Sequence, residues 1–130
     1  MAGEYVLEME GIQKGFPGVQ ALKGVELKVK PATVHGVMGE NGAGKSTLMK
    51  IAIGLYHADA GTIRFKGEPV ELESIHAALE MGISMIHQEL SPLPYMTVAQ
   101  NIFLGREKTN KLGLIDHKAI DQETTRILKD

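Results

Sequence analysis

The sequence predicts an α/β domain in which a strand, a loop and a helix form the working core and an antiparallel β lobe sits beside them. Three observations predict it. A glycine-rich stretch, residues 39–47, falls between a short apolar run and a segment of helical period. Apolar and polar residues alternate at period two early in the chain, over residues 5–10 and again at Val25, Leu27 and Val29. A further pair of short runs, 62–65 and 69–72, is separated by Lys66-Gly67-Glu68, the signature of a hairpin.

Taken in order, residues 5–10 read as a strand that leads into a loop, with Pro17-Gly18 as a turn signal. Val25, Leu27 and Val29 alternate with charged residues as a half-exposed second strand ending at Lys30-Pro31. Residues 33–38 are short and largely apolar, the pattern of a buried strand feeding a ligand-binding turn. The helix expected next carries Leu48, Ile51, Ala52 and Leu55 at helical spacing, with Gly54 near its C-terminal cap. After the hairpin, Ile75, Ala78, Leu79 and Gly82 mark a helix and its stop, and residues 83–86 read as another compact apolar strand. Pro92 and Pro94 enforce a loop; Val98, Ile102 and Phe103 suggest a short helix; Asp116 is placed to cap a last one bearing Ile120, Ile127 and Leu128.

The bulk numbers set bounds. A chain of 130 residues is about the size of one domain with one core. A net charge of −2 supplies no broad cationic field for nucleic acid or anionic lipid. With no cysteine, there is neither a disulfide framework nor a thiolate metal site or nucleophile. The first five residues lack a basic and apolar leader pattern, and no apolar run approaches the roughly 20 residues that cross a bilayer. The expectation is a cytosolic chain that serves a membrane, if at all, from its surface.

Residues 39–46, Gly-Glu-Asn-Gly-Ala-Gly-Lys-Ser, satisfy the P-loop pattern in the setting its chemistry needs, between strand and helix. A triphosphate concentrates about four negative charges, and backbone N–H groups at a helix N-terminus hold such an anion. The expected phosphate cradle is Gly39, Asn41, Gly42, Ala43, Gly44, Lys45, Ser46 and Thr47. Lys45 is the point charge for the β- and γ-phosphates, the Ser46 hydroxyl is offered to Mg²⁺, and Thr47 bonds a neighbouring phosphate. The ligand expected is a nucleoside triphosphate with magnesium, with ATP preferred over GTP: Asn110-Lys111-Leu112-Gly113 has glycine where a guanine-reading aspartate belongs. A small-molecule kinase stays open, although Arg64, Arg106 and Arg126 form no lid pattern. His87 has no partner at ligand spacing and is read as a loop residue.

Four segments together resemble the ATP-binding subunits of ABC transporters, sugar-import type, akin to the ribose and galactoside importers. They are residues 11–22 (GIQKGFPGVQAL), 39–47 (GENGAGKST), 82–90 (GISMIHQEL) and 101–107 (NIFLGRE). The resemblance implies a partial P-loop NTPase core with an antiparallel β lobe, of the ABC ATPase type. It implies that Phe16 stacks on the adenine ring, and that Gln88 is the Q-loop glutamine, reaching Mg²⁺ or the attacking water. Lys45 and Gln88 are then the catalytic candidates, and Ser46 and Gln88 the metal ligands. The implied partners are transmembrane permease subunits, a second ATPase domain, fused or homodimeric, and, indirectly, an extracytoplasmic sugar-binding protein. The implied place is the cytoplasmic face of the plasma membrane, with no nucleic acid involved.

The family's Leu-Ser-Gly-Gly-Gln signature, Walker B strand, D-loop and switch histidine do not occur in the 130 residues. Gly113-Leu114-Ile115-Asp116 is too short for Walker B, and its aspartate suits a helix cap. The expectation is that residues 1–130 are the N-terminal portion of one ABC ATPase domain, which without the remainder hydrolyses ATP negligibly and binds it weakly if at all. Two alternatives stay open: a nucleotide-binding or scaffolding module without catalysis, and a soluble ABC-type ATPase.

Overall fold

A computed structural model describes residues 4–87 and 92–129, which divide at residue 86 into two compact units. In the first, β1 (Leu7–Phe16) and β2 (Val19–Val29) form a hairpin through Pro17-Gly18. α1 (Lys45–Ala52) follows the glycine-rich loop, and β3 (Ala60–Phe65) and β4 (Glu68–Pro69) form the second hairpin across Lys66-Gly67. The four strands make one antiparallel sheet in the order β2-β1-β3-β4. α2 (Ile75–Met81) starts at Ser74, whose hydroxyl accepts from the Ala77 N–H at 3.2 Å, and stops at Gly82 in the left-handed region.

β1 runs six residues past the expected end at Glu10, and the reason is a bulge. Met9 pairs with Leu27 and Ile12 with Val25, so β1 spends one residue more than its partner between them. Gly11, at φ 63°, takes the left-handed conformation that this needs. Met9 and Ile12, three apart, therefore both face inward and are fully buried. They join Leu22 and Leu27 of β2 and the i, i+3, i+4 stripe Leu48, Ile51 and Ala52 of α1 in one core. α1 is thereby clamped to the sheet that carries Phe16.

The two apolar runs read as buried strands differ from expectation. Residues 33–38 and 83–86 belong to no strand among the described residues. Val34, Met38 and Ile86 are almost wholly exposed. A run of extended backbone becomes a strand only when another backbone takes up its N–H and C=O groups, and buried parallel strands need cover on both faces.

The second unit holds α3 (Val98–Ile102) and α4 (His117–Ile127). Thr97 and Gln100 form a reciprocal capping box at α3. The Asn101 side chain closes the preceding loop, accepting from the Leu93 N–H at 2.7 Å and donating to the Leu93, Met96 and Thr97 carbonyls. Asp116 caps α4 as expected, accepting from the Ala119 N–H at 2.9 Å. Of the apolar face foreseen on α4 only Ile120 is buried; Ile127 and Leu128 are exposed at the helix end.

Candidate functional site

The glycine-rich loop is shaped by its backbone. Gly39, Gly42 and Gly44 have φ of 157°, 84° and 90°, and the Ala43 N–H donates to the Glu40 carbonyl at 3.2 Å across the turn that holds Asn41 and Gly42. Gly44 is the position no other residue fills. A Cβ there would lie 2.6 Å from Leu22 Cδ2 and 2.8 Å from the Ala21 carbonyl oxygen. The loop is thus seated directly on β2, and its end is the N-cap of α1, which has no side-chain cap bond and no acidic residue in its first turn. That leaves the first N–H groups of α1 for an anion.

Lys45 opens α1 and folds back over the loop, its ammonium donating to the carbonyls of Gly39 and Glu40 at 2.7 Å each. These two bonds hold a cation over the loop, and the Lys45 side chain lies within van der Waals contact of where a Cβ on Gly39 would stand. The residues fit a phosphate group: the donors lie at a helix N-terminus, and the Lys45 ammonium is held beside them. Ser46 is exposed and Thr47 half-buried on the first turn. Among the described residues no group of three His, Cys, Asp or Glu side chains gathers that would hold a metal. A hard cation there would draw on the Ser46 hydroxyl, phosphate oxygens and water.

Phe16 ends β1, pairs with Val19, and is 38% exposed. β2 is the link between the two halves of the site, since it starts opposite Phe16 and carries the Ala21-Leu22 seat of Gly44. Phe16 meets Tyr56 edge-to-face, with centroids 5.4 Å apart and planes at 68°. The Lys14 ammonium lies 5.8 Å from the Phe16 centroid and forms a 2.7 Å ion pair with Asp59. Asp59 also accepts from the Gly15 N–H at 2.7 Å. The Lys14 ammonium, and after it the Gly15 N–H, hold the Asp59 carboxyl below its ordinary pKa.

Sequence reasoning assigned no site role to Asp59, Tyr56 or Lys14. Asp59 and Lys14 stand 45 residues apart, and no local period announces such a pairing. Gln88 lies outside the described residues. Asn110, in the sequence that imitates a guanine-reading motif, instead stitches a tight loop, its side-chain oxygen accepting from the N–H groups of Leu112 and Leu114. No helix among the described residues is long and apolar enough to cross a membrane.

Known proteins are similar to this chain in sequence and in fold. The chain is 58% identical over 130 residues to a putative ribose/galactose/methyl galactoside import ATP-binding protein of Halalkalibacterium halodurans, covering 99% of this chain and 25% of the relative. It is 55% identical over 124 residues to a protein of the same description from Pseudomonas fluorescens, covering 95% of this chain and 24% of that one. The chain therefore spans about a quarter of the length of these curated relatives. Among solved structures, a nucleotide-free ATP-binding cassette from an ABC transporter superposes with a TM-score of 0.79 at 27% identity, over 96% of this chain and 53% of the cassette. A cassette in its ADP conformation gives 0.77 at 28% identity, over the same shares. Residues 22–130 match the ABC transporter family, and with a P-loop seated between its sheet and its helix the chain belongs to that family.

Proposed function

We propose that this chain supplies the base- and phosphate-binding half of the ATP site in a transport ATPase that energises sugar import. The observation that carries the reading is the loop at residues 39–47, a cup with donors at a helix N-terminus and a lysine folded over it. The identity of more than half the residues with ribose/galactose/methyl galactoside import ATP-binding proteins supports the substrate class.

In this role the N–H groups of Asn41, Gly42, Ala43, Gly44 and Lys45, together with Gly39, cradle the β- and γ-phosphates, and Thr47 bonds a neighbouring one. The Lys45 ammonium leaves the Gly39 and Glu40 carbonyls for the phosphates, exchanging two neutral acceptors for a charged one. Ser46 offers its hydroxyl to Mg²⁺, which offsets phosphate charge when bound. Gln88 completes the metal or water contact, and Phe16 stacks on adenine. Residues 1–130 are the front portion of one ATPase domain, and hydrolysis draws on a signature motif and a Walker B carboxylate that this sequence does not contain. The partners are permease subunits, a second ATPase domain and, through the permease, an extracytoplasmic sugar-binding protein, with the ATPase peripheral on the cytoplasmic face.

Uptake of labelled ribose and galactose in cells tests the function. Deleting the coding sequence is expected to abolish uptake of at least one, restored by the intact protein and not by its Lys45→Ala variant. Unchanged uptake of both sugars on deletion, or full rescue by Lys45→Ala, would contradict the reading.

A further inference from the structure

The turn that follows α1 reaches back to the base platform, and it does so at three points. After α1 the chain doubles back, with the Leu55 and Tyr56 N–H groups both donating to the Lys50 carbonyl, at 2.9 and 3.2 Å. This turn sets the Tyr56 ring against the Phe16 ring. Three residues on, the Asp59 N–H donates to the Gln13 carbonyl at 2.9 Å, and the Asp59 carboxylate takes the Gly15 N–H and the Lys14 ammonium on its two oxygens. The last turn of β1 is therefore gripped at Gln13, Lys14 and Gly15, immediately before Phe16. An exposed aromatic at a hairpin end would otherwise lose rotamer and backbone freedom only when a base arrived, and that ordering would weaken binding.

We infer that Tyr56 and Asp59 are positioning residues for nucleotide binding, which fix Phe16 in its stacking pose and tie it to the helix whose other end is the phosphate loop. The rings and the carboxylate act on Phe16, not on the nucleotide. The spacing between base and phosphates is then built into the protein before ligand arrives, α1 spanning about 12 Å between its two ends. The inference rests on the proposed stacking of adenine on Phe16.

The test separates base from phosphate. The intact protein is titrated with Mg·ATP and with magnesium tripolyphosphate, which offers the same charges and no base. Asp59→Ala and Tyr56→Leu are expected to raise the Kd for Mg·ATP by about two- to tenfold while leaving tripolyphosphate binding unchanged. Tyr56→Phe, which keeps the ring, restores wild-type affinity. Because the chain has no tryptophan, Phe16→Trp adds a clean reporter: combining it with Asp59→Ala or Tyr56→Leu should red-shift the indole emission before any ligand is added. Retained tripolyphosphate binding also shows that a variant has folded around its P-loop. Equal losses for both ligands, or no loss for either, would overturn the inference. If Phe16→Ala weakens Mg·ATP while the Asp59 and Tyr56 variants do not, only the positioning role fails; if Phe16→Ala changes nothing, the stacking assignment falls and the inference with it.

Discussion

The antiparallel lobe and the two apolar runs at 33–38 and 83–86 were built from equally strand-like sequence, yet one is a paired four-stranded sheet and the others belong to no strand. The difference lies in where the partner is encoded. β1 and β2 are joined by a two-residue turn, and β3 and β4 by Lys66-Gly67, so each strand's partner arrives with it. A parallel strand takes its partner through a crossover of a dozen or more residues, and among the described residues none comes to lie beside either run. An apolar pattern says what a segment is suited to bury. It does not supply the neighbour that buries it.

The largest expected effect breaks or confirms that contrast directly. In urea unfolding of the 130-residue chain, Ile12→Ala should cost about 2–5 kcal/mol, because it opens a cavity in the core between β1, β2 and α1. Val34→Ala, at a fully exposed apolar position, should stay within about 0.5 kcal/mol. A loss above about 2 kcal/mol for Val34→Ala would mean that residues 33–38 are packed after all.

Next in size is the joint between the lobe and the loop. Gly44→Ala puts a Cβ into Leu22 and the Ala21 carbonyl at a left-handed φ, so strain and overpacking together should cost about 2–4 kcal/mol. Thermal unfolding should show the loss and nucleotide titration a collapse in affinity. Unchanged stability would show that the loop is not seated on β2. The smallest effect belongs to the second unit. Asp116→Ala removes the cap bond to the Ala119 N–H and should cost about 1 kcal/mol, read by circular dichroism on heating, with no change in ligand binding. A change in nucleotide affinity from that variant would tie α4 to the site.

What the sequence made legible follows the same division. The P-loop, the α1 stripe as far as Ala52, the β3–β4 hairpin and the Asp116 cap are each written within about ten residues, and all were readable; Leu55, read onto that stripe, lies past the helix end and is exposed. The continuation of β1 to Phe16 was not, because the bulge at Gly11 turns Met9 and Ile12 to the same face and breaks the period-two pattern. The grip of Asp59 on Lys14 and Gly15 was hidden for another reason. It joins positions more than forty residues apart with side chains that look, in sequence, like any solvated charges. Local chemistry of the phosphate cup was therefore visible from residue types alone, while the support behind Phe16 needed the fold.

The most direct measurement is amide hydrogen exchange on the 130-residue chain with and without millimolar Mg·ATP. Protection should rise at the N–H groups of residues 41–46, stay unchanged at the already bonded amides of β1 and β2, and vanish in Lys45→Ala. Loop amides that exchange identically with and without nucleotide, or protection that survives Lys45→Ala, would contradict the claim that this loop is the phosphate cradle.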